Sequence, residues 1–356
     1  MVANLIAIMM IIAIHYQTRF FAGLDGTVLS WNYLTQEFMT NGLARAAVPY
    51  FALISGFFLF SQFSEHRSYG KVLRSRFHTL ILPYILAATI IFLSLALEKL
   101  LKGNTSFFNI KTLFYGIFIS PLSGQFWFLR DLCILVVISP LIFPKKRILQ
   151  YLLGFILFLL WLLEWQVLPI LGDWYIINVE TLFFFYLGGQ LSYKGKILDG
   201  IVDSGVKCMA VMSLLLFVLL VTRIHIDPTI DLWYGSAKKY TIFSLLLYKT
   251  TIAAGIICLI QISSLFHKNT RLIYLSGLSF FAFLFHFVPL NFLISKLLEM
   301  IMAKEFEFYL SFPTATVMVF AIAHLVATKA PRLYGILCGG RNPNKALNRT
   351  GPRTAG

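Results

Sequence analysis

The sequence predicts an all-α fold: a polytopic integral membrane protein with about ten transmembrane helices and both termini in the cytoplasm. Composition is the first reason. Of 356 residues, 58% are hydrophobic and 13% charged, against about 45–50% and about 25% in soluble domains. With a mean hydropathy of +0.79, so much apolar surface cannot hide in one water-facing core. The second reason is segmentation into apolar runs of roughly 15 to 25 residues, the length that crosses about 30 Å of hydrocarbon as a helix. The third is the uneven sharing of Lys and Arg between the connecting loops. Polar disorder, collagen-like repeats and a disulfide-stapled secreted fold are excluded, because their compositional marks are absent.

The apolar runs fall near residues 2–17, 43–61, 79–97, 126–143, 148–170, 177–193, 208–222, 240–264, 272–295 and 308–328. The first is not read as a signal peptide, since no basic stretch precedes it and no small-residue cleavage site follows. Between the spans, one face collects Arg67, Lys71, Arg74, Arg76, Lys145, Lys146, Arg147, Lys194, Lys196, Lys207, Lys268, Arg271 and the basic tail from Lys329. The other face is balanced, with Arg19, Lys99, Lys102, Lys111 and Arg223 offset by acids that include Asp25, Glu37, Glu98, Glu164 and Glu180. An inner basic face accounts for the net charge of +15 without a nucleic acid partner. Residues 1–341 read as one membrane domain, and 342–356 as a disordered polar cytoplasmic tail. Cys133, Cys208, Cys258 and Cys338 form neither a zinc spacing nor a redox pair, so packing is their expected role and no metal is expected.

A few ionisable groups fall inside the spans, where each is costly and needs a partner or a polar cavity. His15 ends the first span near the outer boundary, and Arg45 opens the second at the same level. Arg130 and Asp131 follow Trp127 by about one turn near the outer start of the fourth. Being adjacent on a helix, they are expected to point apart and to pair with groups on other helices. Glu180 opens the sixth span, Lys249 lies roughly 14 Å into the eighth, and His286 lies roughly 21 Å into the ninth, at 1.5 Å per residue. His78, His267 and His324 read as interfacial. Groups from six spans thus converge on the central and outer layers, as a buried chamber would need: a His to move a proton near neutral pH, and fixed positive charge for a developing oxyanion.

At these residues the sequence resembles the membrane-bound acyltransferase 3 family of bacterial enzymes. The stretches that carry the resemblance are Ala13-Ile14-His15 and Arg45-Ala46-Ala47-Val48-Pro49-Tyr50-Phe51-Ala52-Leu53-Ile54-Ser55-Gly56-Phe57. Phe126 to Leu132, Tyr186 to Gly189, Ser279 to His286 and Pro331 to Leu333 add to them. Members usually carry a basic residue eleven positions before the first-span His, and here that position is Asn4. Either this branch handles its donor differently, or the first helix begins upstream of Met1.

The resemblance implies an inner-membrane O-acyltransferase. It would use cytoplasmic acyl-CoA, expected to be acetyl-CoA, as co-substrate, with no bound cofactor. The acyl group would pass to a hydroxyl of an envelope or exported carbohydrate or lipid-linked glycan. It implies His15 as general base or transient acyl carrier, with Arg45 steadying the carbonyl oxygen. Trp127, Arg130, Asp131, Glu180, Lys249 and His286 would shape the acceptor chamber, and Lys71, Arg74 and Arg76 would hold the donor phosphates. The alternatives are a transporter or flippase for a lipid-linked sugar, whose buried charges would bind a headgroup, and, less favoured, an inactive scaffold.

Overall fold

A computed structural model describes residues 2–18, 31–64, 68–103, 107, 109–144, 146–165, 170–171, 174–193, 205–226, 242–266, 268–298, 300–301 and 306–344. The helices are α1 (Val2–His15), α2 (Trp31–Glu37), α3 (Ala47–Ser64), α4 (Tyr69–Arg76), α5 (Leu82–Leu101), α6 (Ile110–Phe118), α7 (Phe126–Ile142), α8 (Arg147–Leu162), α9 (Val179–Tyr193), α10 (Gly205–Ile226), α11 (Ile242–Leu265), α12 (Thr270–Phe285), α13 (Leu290–Leu298), α14 (Glu307–Lys329) and α15 (Pro331–Leu337). Among the described residues the exception to helix is a short antiparallel ladder, β1 (Ile170–Leu171) with β2 (Trp174–Tyr175).

Each apolar segment of the sequence contains a helix. Among the described residues, four helical runs are long and apolar enough to cross a membrane: Trp31–Phe63, Tyr69–Leu101, Ile242–Leu265 and Glu307–Lys329. The bent pair α12 and α13 makes a fifth if it is one span. Large apolar side chains such as Leu97, Leu141, Ile148, Phe155 and Val317 are exposed, which suits a lipid-facing surface and would be costly in water.

Prolines decide where these helices depart from regularity. Pro49 cannot donate to the carbonyl of Arg45 four residues earlier, and the backbone leading into α3 runs through a π turn (Phe38–Gly42) and a 3₁₀ turn (Leu43–Ala46). Pro83 has the same effect between α4 and α5, where Phe77–Ile81 is a π turn. Pro140 sits inside α7 and frees the carbonyl of Val136, which accepts from the Ser139 hydroxyl at 2.9 Å.

Two spans differ from the straight helices expected. The segment 272–295 bends by 82° between Phe285 and Leu290, because Pro289 lacks an N–H and pushes its predecessor out of helical geometry. The segment 148–170 stops at Leu162. Glu164 takes a left-handed φ of 56°, and the Trp165 N–H closes onto the Leu160 carbonyl at 2.9 Å, a helix stop in which glycine is the usual residue.

Among the described residues, the closest helix crossing joins α3 and α9. A Cβ on Gly56 would lie 1.9 Å from the Phe185 carbonyl oxygen, and one on Gly188 would lie 1.9 Å from that of Leu53. Only glycine at both positions lets the backbones touch, as at small-residue crossings in membranes. The signature Ile-Ser-Gly and the Leu187-Gly188-Gly189 stretch are therefore two sides of one contact. α1 packs between α3, α11 and α12, which buries its C-terminal end beside the bend of α12.

Candidate active site

His15 ends α1 against that bend. Its ring centroid lies 5.1 Å from the His286 ring and 5.1 Å from the Phe287 ring. The Tyr16 hydroxyl donates to the His286 carbonyl at 2.8 Å, so the last residue of α1 and the one after it grip two adjacent residues of the break. A small recess beside His15 is lined by Ile11, Ile14, Val48, Gln125, Trp127, Phe128 and Phe283. Gly124 passes close to it: a Cβ there would stand 3.6 Å from His15 Cε1. Gln125 is held by a bond from the Ser123 hydroxyl and by its own donation to the Leu284 carbonyl. The Ser123–Gln125 turn was missed at the sequence level, although it directly precedes the Phe126-Trp127 stretch.

Arg45 takes a different direction. Its Nε donates to the Tyr248 hydroxyl, Nη2 lies 3.8 Å from Glu180 Oε1, and the guanidinium covers the Tyr248 ring at 5.6 Å. Glu180 also accepts from Trp161 Nε1 at 3.0 Å. Lys249 is ion-paired with Glu164 and stands 4.7 Å above the Trp161 ring and 5.5 Å from that of Tyr248. A third cation, Arg223, is buried 5.4 Å from the same tyrosine ring, and its Nη1 lies 3.6 Å from Glu37 Oε1. Three Arg or Lys side chains surround Tyr248, each with a carboxylate. Arg45, Glu180 and Lys249 gather around Tyr248, and Arg45, expected to steady a carbonyl beside His15, does not line the His15 recess; Tyr248, Arg223 and Glu37 were missed because the charge map placed the last two in outer loops.

Arg130 and Asp131 correct the expectation that they point apart. Arg130 Nη2 lies 3.1 Å from Asp131 Oδ1, and Nη1 donates to the Ile119 carbonyl at 2.5 Å. Asp131 Oδ2 accepts from the Asn178 N–H at 2.8 Å. Both side chains are buried, and long Arg can fold back onto its neighbour where the helix wall leaves no other route. The pair ties the ends of α6 and α9 to α7. Trp127, one turn earlier, lines the His15 recess.

A cavity of about 630 Å³ opens between α3, α4, α7, α12 and the segment after α15. Arg76, Arg341 and Asn342 stand in its wall with Asn4, Ser55 and Ser279, and its apolar lining includes Phe128 and Phe283. Those two rings also wall the His15 recess. Of the three basic residues expected at the donor, Arg76 lines the cavity, while Lys71 and Arg74 are exposed. Arg341 was read only as part of the basic tail. It donates to the carbonyls of Thr79 and Cys338 at 2.7 and 2.8 Å and stacks 3.8 Å above the Phe280 ring. Burial pushes its guanidinium down to about 10, still well above neutral pH, so it carries its charge. Asn4 accepts from the Tyr50 hydroxyl at 2.8 Å. At the start of the polar tail expected from 342, Asn342 is exposed at the cavity rim and Pro343 is buried against Gly277; residues 345–356 lie outside the described residues, as does His267.

This arrangement, a half-buried histidine whose recess shares two ring walls with a cation-lined cavity in a helical membrane protein, defines a class that a family comparison resolves. The family model described as an acyltransferase domain, of the acyltransferase 3 type, matches residues 4–328. The chain belongs to the acyltransferase 3 family and is an acyltransferase. Among curated proteins it is similar to the succinoglycan biosynthesis protein ExoH of Rhizobium meliloti (strain 1021), at 26% identity over 354 residues that cover 92% of this chain and 87% of the relative. No solved structure matches it significantly.

Proposed function

We propose that this protein is a ten-span inner-membrane O-acyltransferase that moves an acetyl group from cytoplasmic acetyl-CoA to a hydroxyl of an envelope or exported glycan. The observation that carries the reading is the shared wall: Phe128 and Phe283 separate the cavity of Arg76 and Arg341 from the His15 recess. A donor whose phosphates meet the two guanidiniums can extend its thioester past these rings to the histidine. Arg341 is suited to phosphate, since a charged planar donor binds such oxygens strongly.

In this mechanism His15 takes the proton of the acceptor hydroxyl as the oxygen attacks the thioester carbon, the C–O bond forms and the C–S bond breaks. The proton then passes from His15 to the leaving thiolate. The small, largely apolar recess favours a short uncharged acyl group, because a terminal carboxylate would need a partner there. The cationic ring around Tyr248 holds the outer helix ends together and would border the acceptor entrance. The acceptor reading draws on a relative whose name places it in succinoglycan biosynthesis.

The test is transfer of label by the purified protein in lipid from acetyl-CoA, compared with succinyl-CoA, to a glycan acceptor. Acetyl transfer that disappears in His15→Ala supports the reading. Sugar movement with no consumption of acyl-CoA contradicts it, and preference for succinyl-CoA contradicts the acetyl assignment.

A further inference from the structure

We infer that His286 is a positioning residue for His15, supplying through its Nε2 lone pair the acceptor that fixes the reactive histidine, a part that catalytic histidines more often give to a carboxylate. This inference rests on the functional reading above and extends it to how His15 is oriented.

Three observations meet at this residue. His286 is fully buried, and its Nδ1 lies 3.0 Å from the Phe283 carbonyl and 3.1 Å from that of Ala282. Both partners can only accept, so the proton sits on Nδ1 and Nε2 is left as a lone pair. That Nε2 has no hydrogen-bond partner among the described residues, a costly state for a buried polar atom and one that calls for an explanation. The third observation is the neighbour: the His15 ring lies 5.1 Å away by centroid, tilted by 53°.

The carboxylates of the site described above are committed elsewhere. Asp131 holds Arg130 and the Asn178 N–H, Glu180 holds Trp161 and faces Arg45, and Glu164 holds Lys249. Tyr16, the titratable neighbour just after α1, donates its hydroxyl to the His286 carbonyl. A small rotation of His15 on substrate binding brings one of its ring N–H groups onto His286 Nε2, the kind of tightening catalytic hydrogen bonds undergo in the reacting complex. His15 then presents its other nitrogen, with its lone pair, to the acceptor hydroxyl. The proton it collects gives an imidazolium whose inner N–H is already held by His286, and it leaves on the thiolate sulfur. His286 gains and loses no proton over the cycle. The bend at Pro289 is what makes this possible, because it frees the ring of His286 from the surface of a continuing helix.

Two isosteric probes separate the roles of the two ring nitrogens. His286→Asn places an amide near the Nδ1 position and nothing at Nε2; His286→Gln reaches the Nε2 position and offers an acceptor there. We expect His286→Asn to accumulate in the membrane at wild-type level and to keep its KM for acetyl-CoA within about twofold. Its kcat should fall about 100-fold, the lower end of what proton transfer by a positioned base contributes, and His286→Gln should recover at least about tenfold of that. Equal kcat in His286→Asn and wild type overturns the inference, and so does an equal loss in the Asn and Gln variants. If the Asn variant fails to accumulate, the Gln variant decides alone: it must fold and retain at least about a tenth of wild-type kcat. A wild-type protein that transfers no acyl group overturns the functional reading instead, which separates the two failures.

Discussion

Arg341 donates to the carbonyl of Thr79 at 2.7 Å. Thr79 lies four residues before Pro83, which cannot supply the helical N–H for that carbonyl. The proline that loosens the junction of α4 and α5 thereby creates the acceptor that pins the segment after α15, and with it the second guanidinium of the cavity wall. The close approach requires Gly339, whose φ is +62° and whose Cβ would stand 2.6 Å from Thr79 Cα, a position only glycine fills without strain.

Arg341→Ala should therefore raise the KM for acetyl-CoA about tenfold or more while leaving kcat within about twofold, since hydrogen bonds to charged groups contribute about 1.5–3 kcal/mol. Lys71→Ala, at an exposed position on α4, should change neither constant appreciably. Initial rates at varied donor concentration decide this, and equal effects of the two substitutions would count against the cavity as the donor site.

The α3–α9 crossing makes a prediction about folding. Gly56→Ala or Gly188→Ala drives a methyl into backbone at 1.9 Å, so the helices must separate, at a cost above the roughly 1–3 kcal/mol of ordinary overpacking. Either variant should lose the monodisperse peak in detergent chromatography. A wild-type melting temperature in both would show that the crossing is not as tight as described.

Glu164 adopts its left-handed conformation while paired with Lys249. Glu164→Ala leaves a buried ammonium without its carboxylate and should destabilise the protein by about 3–5 kcal/mol, as broken buried pairs do. Adding Lys249→Met should recover most of that loss. Thermal unfolding of the single and double variants in detergent measures both, and additive losses would indicate that the pair is not coupled.

Asp131 offers a contrast between holding the fold and serving the chemistry. Asp131→Asn weakens the contacts to Arg130 and Asn178, so it should lower stability by about 1–3 kcal/mol yet keep the activity of each folded molecule within about twofold. Activity normalised to folded protein tests this; a selective loss of kcat would return Asp131 to the acceptor chamber.

Apolar runs marked a helix in each segment, because hydrocarbon favours long apolar helices, and they located His15, Arg45 and His286 along the chain; among the described residues four helical runs, or five with the bent pair, are long and apolar enough to cross a membrane. What they could not show were events perpendicular to the helix axes. The break after Phe285 hinges on one proline in a uniformly apolar run, and Pro49, Pro83, Pro140 and Pro313 are instead accommodated within helices or at irregular turns. The pairing of Arg130 with Asp131 depends on how the arginine folds back over its own helix. Arg341 and Arg223 were absorbed into loop-charge bookkeeping, which treats every surface cation alike, whereas burial against Phe280 and Tyr248 gives each a particular partner. The glycines of α3 and α9 were visible as matching signatures, but their mutual contact needed three dimensions.

The central claim, that acyl transfer runs through His15 at the inner end of the Arg76 and Arg341 cavity, is tested most directly by single-turnover transfer of radiolabelled acetyl from acetyl-CoA to a glycan acceptor. Wild type and His15→Ala would be reconstituted at equal folded concentration. The account predicts labelled glycan with the wild type and a loss of at least about 100-fold with His15→Ala, with donor affinity retained. Labelled glycan at the wild-type rate from His15→Ala would contradict it.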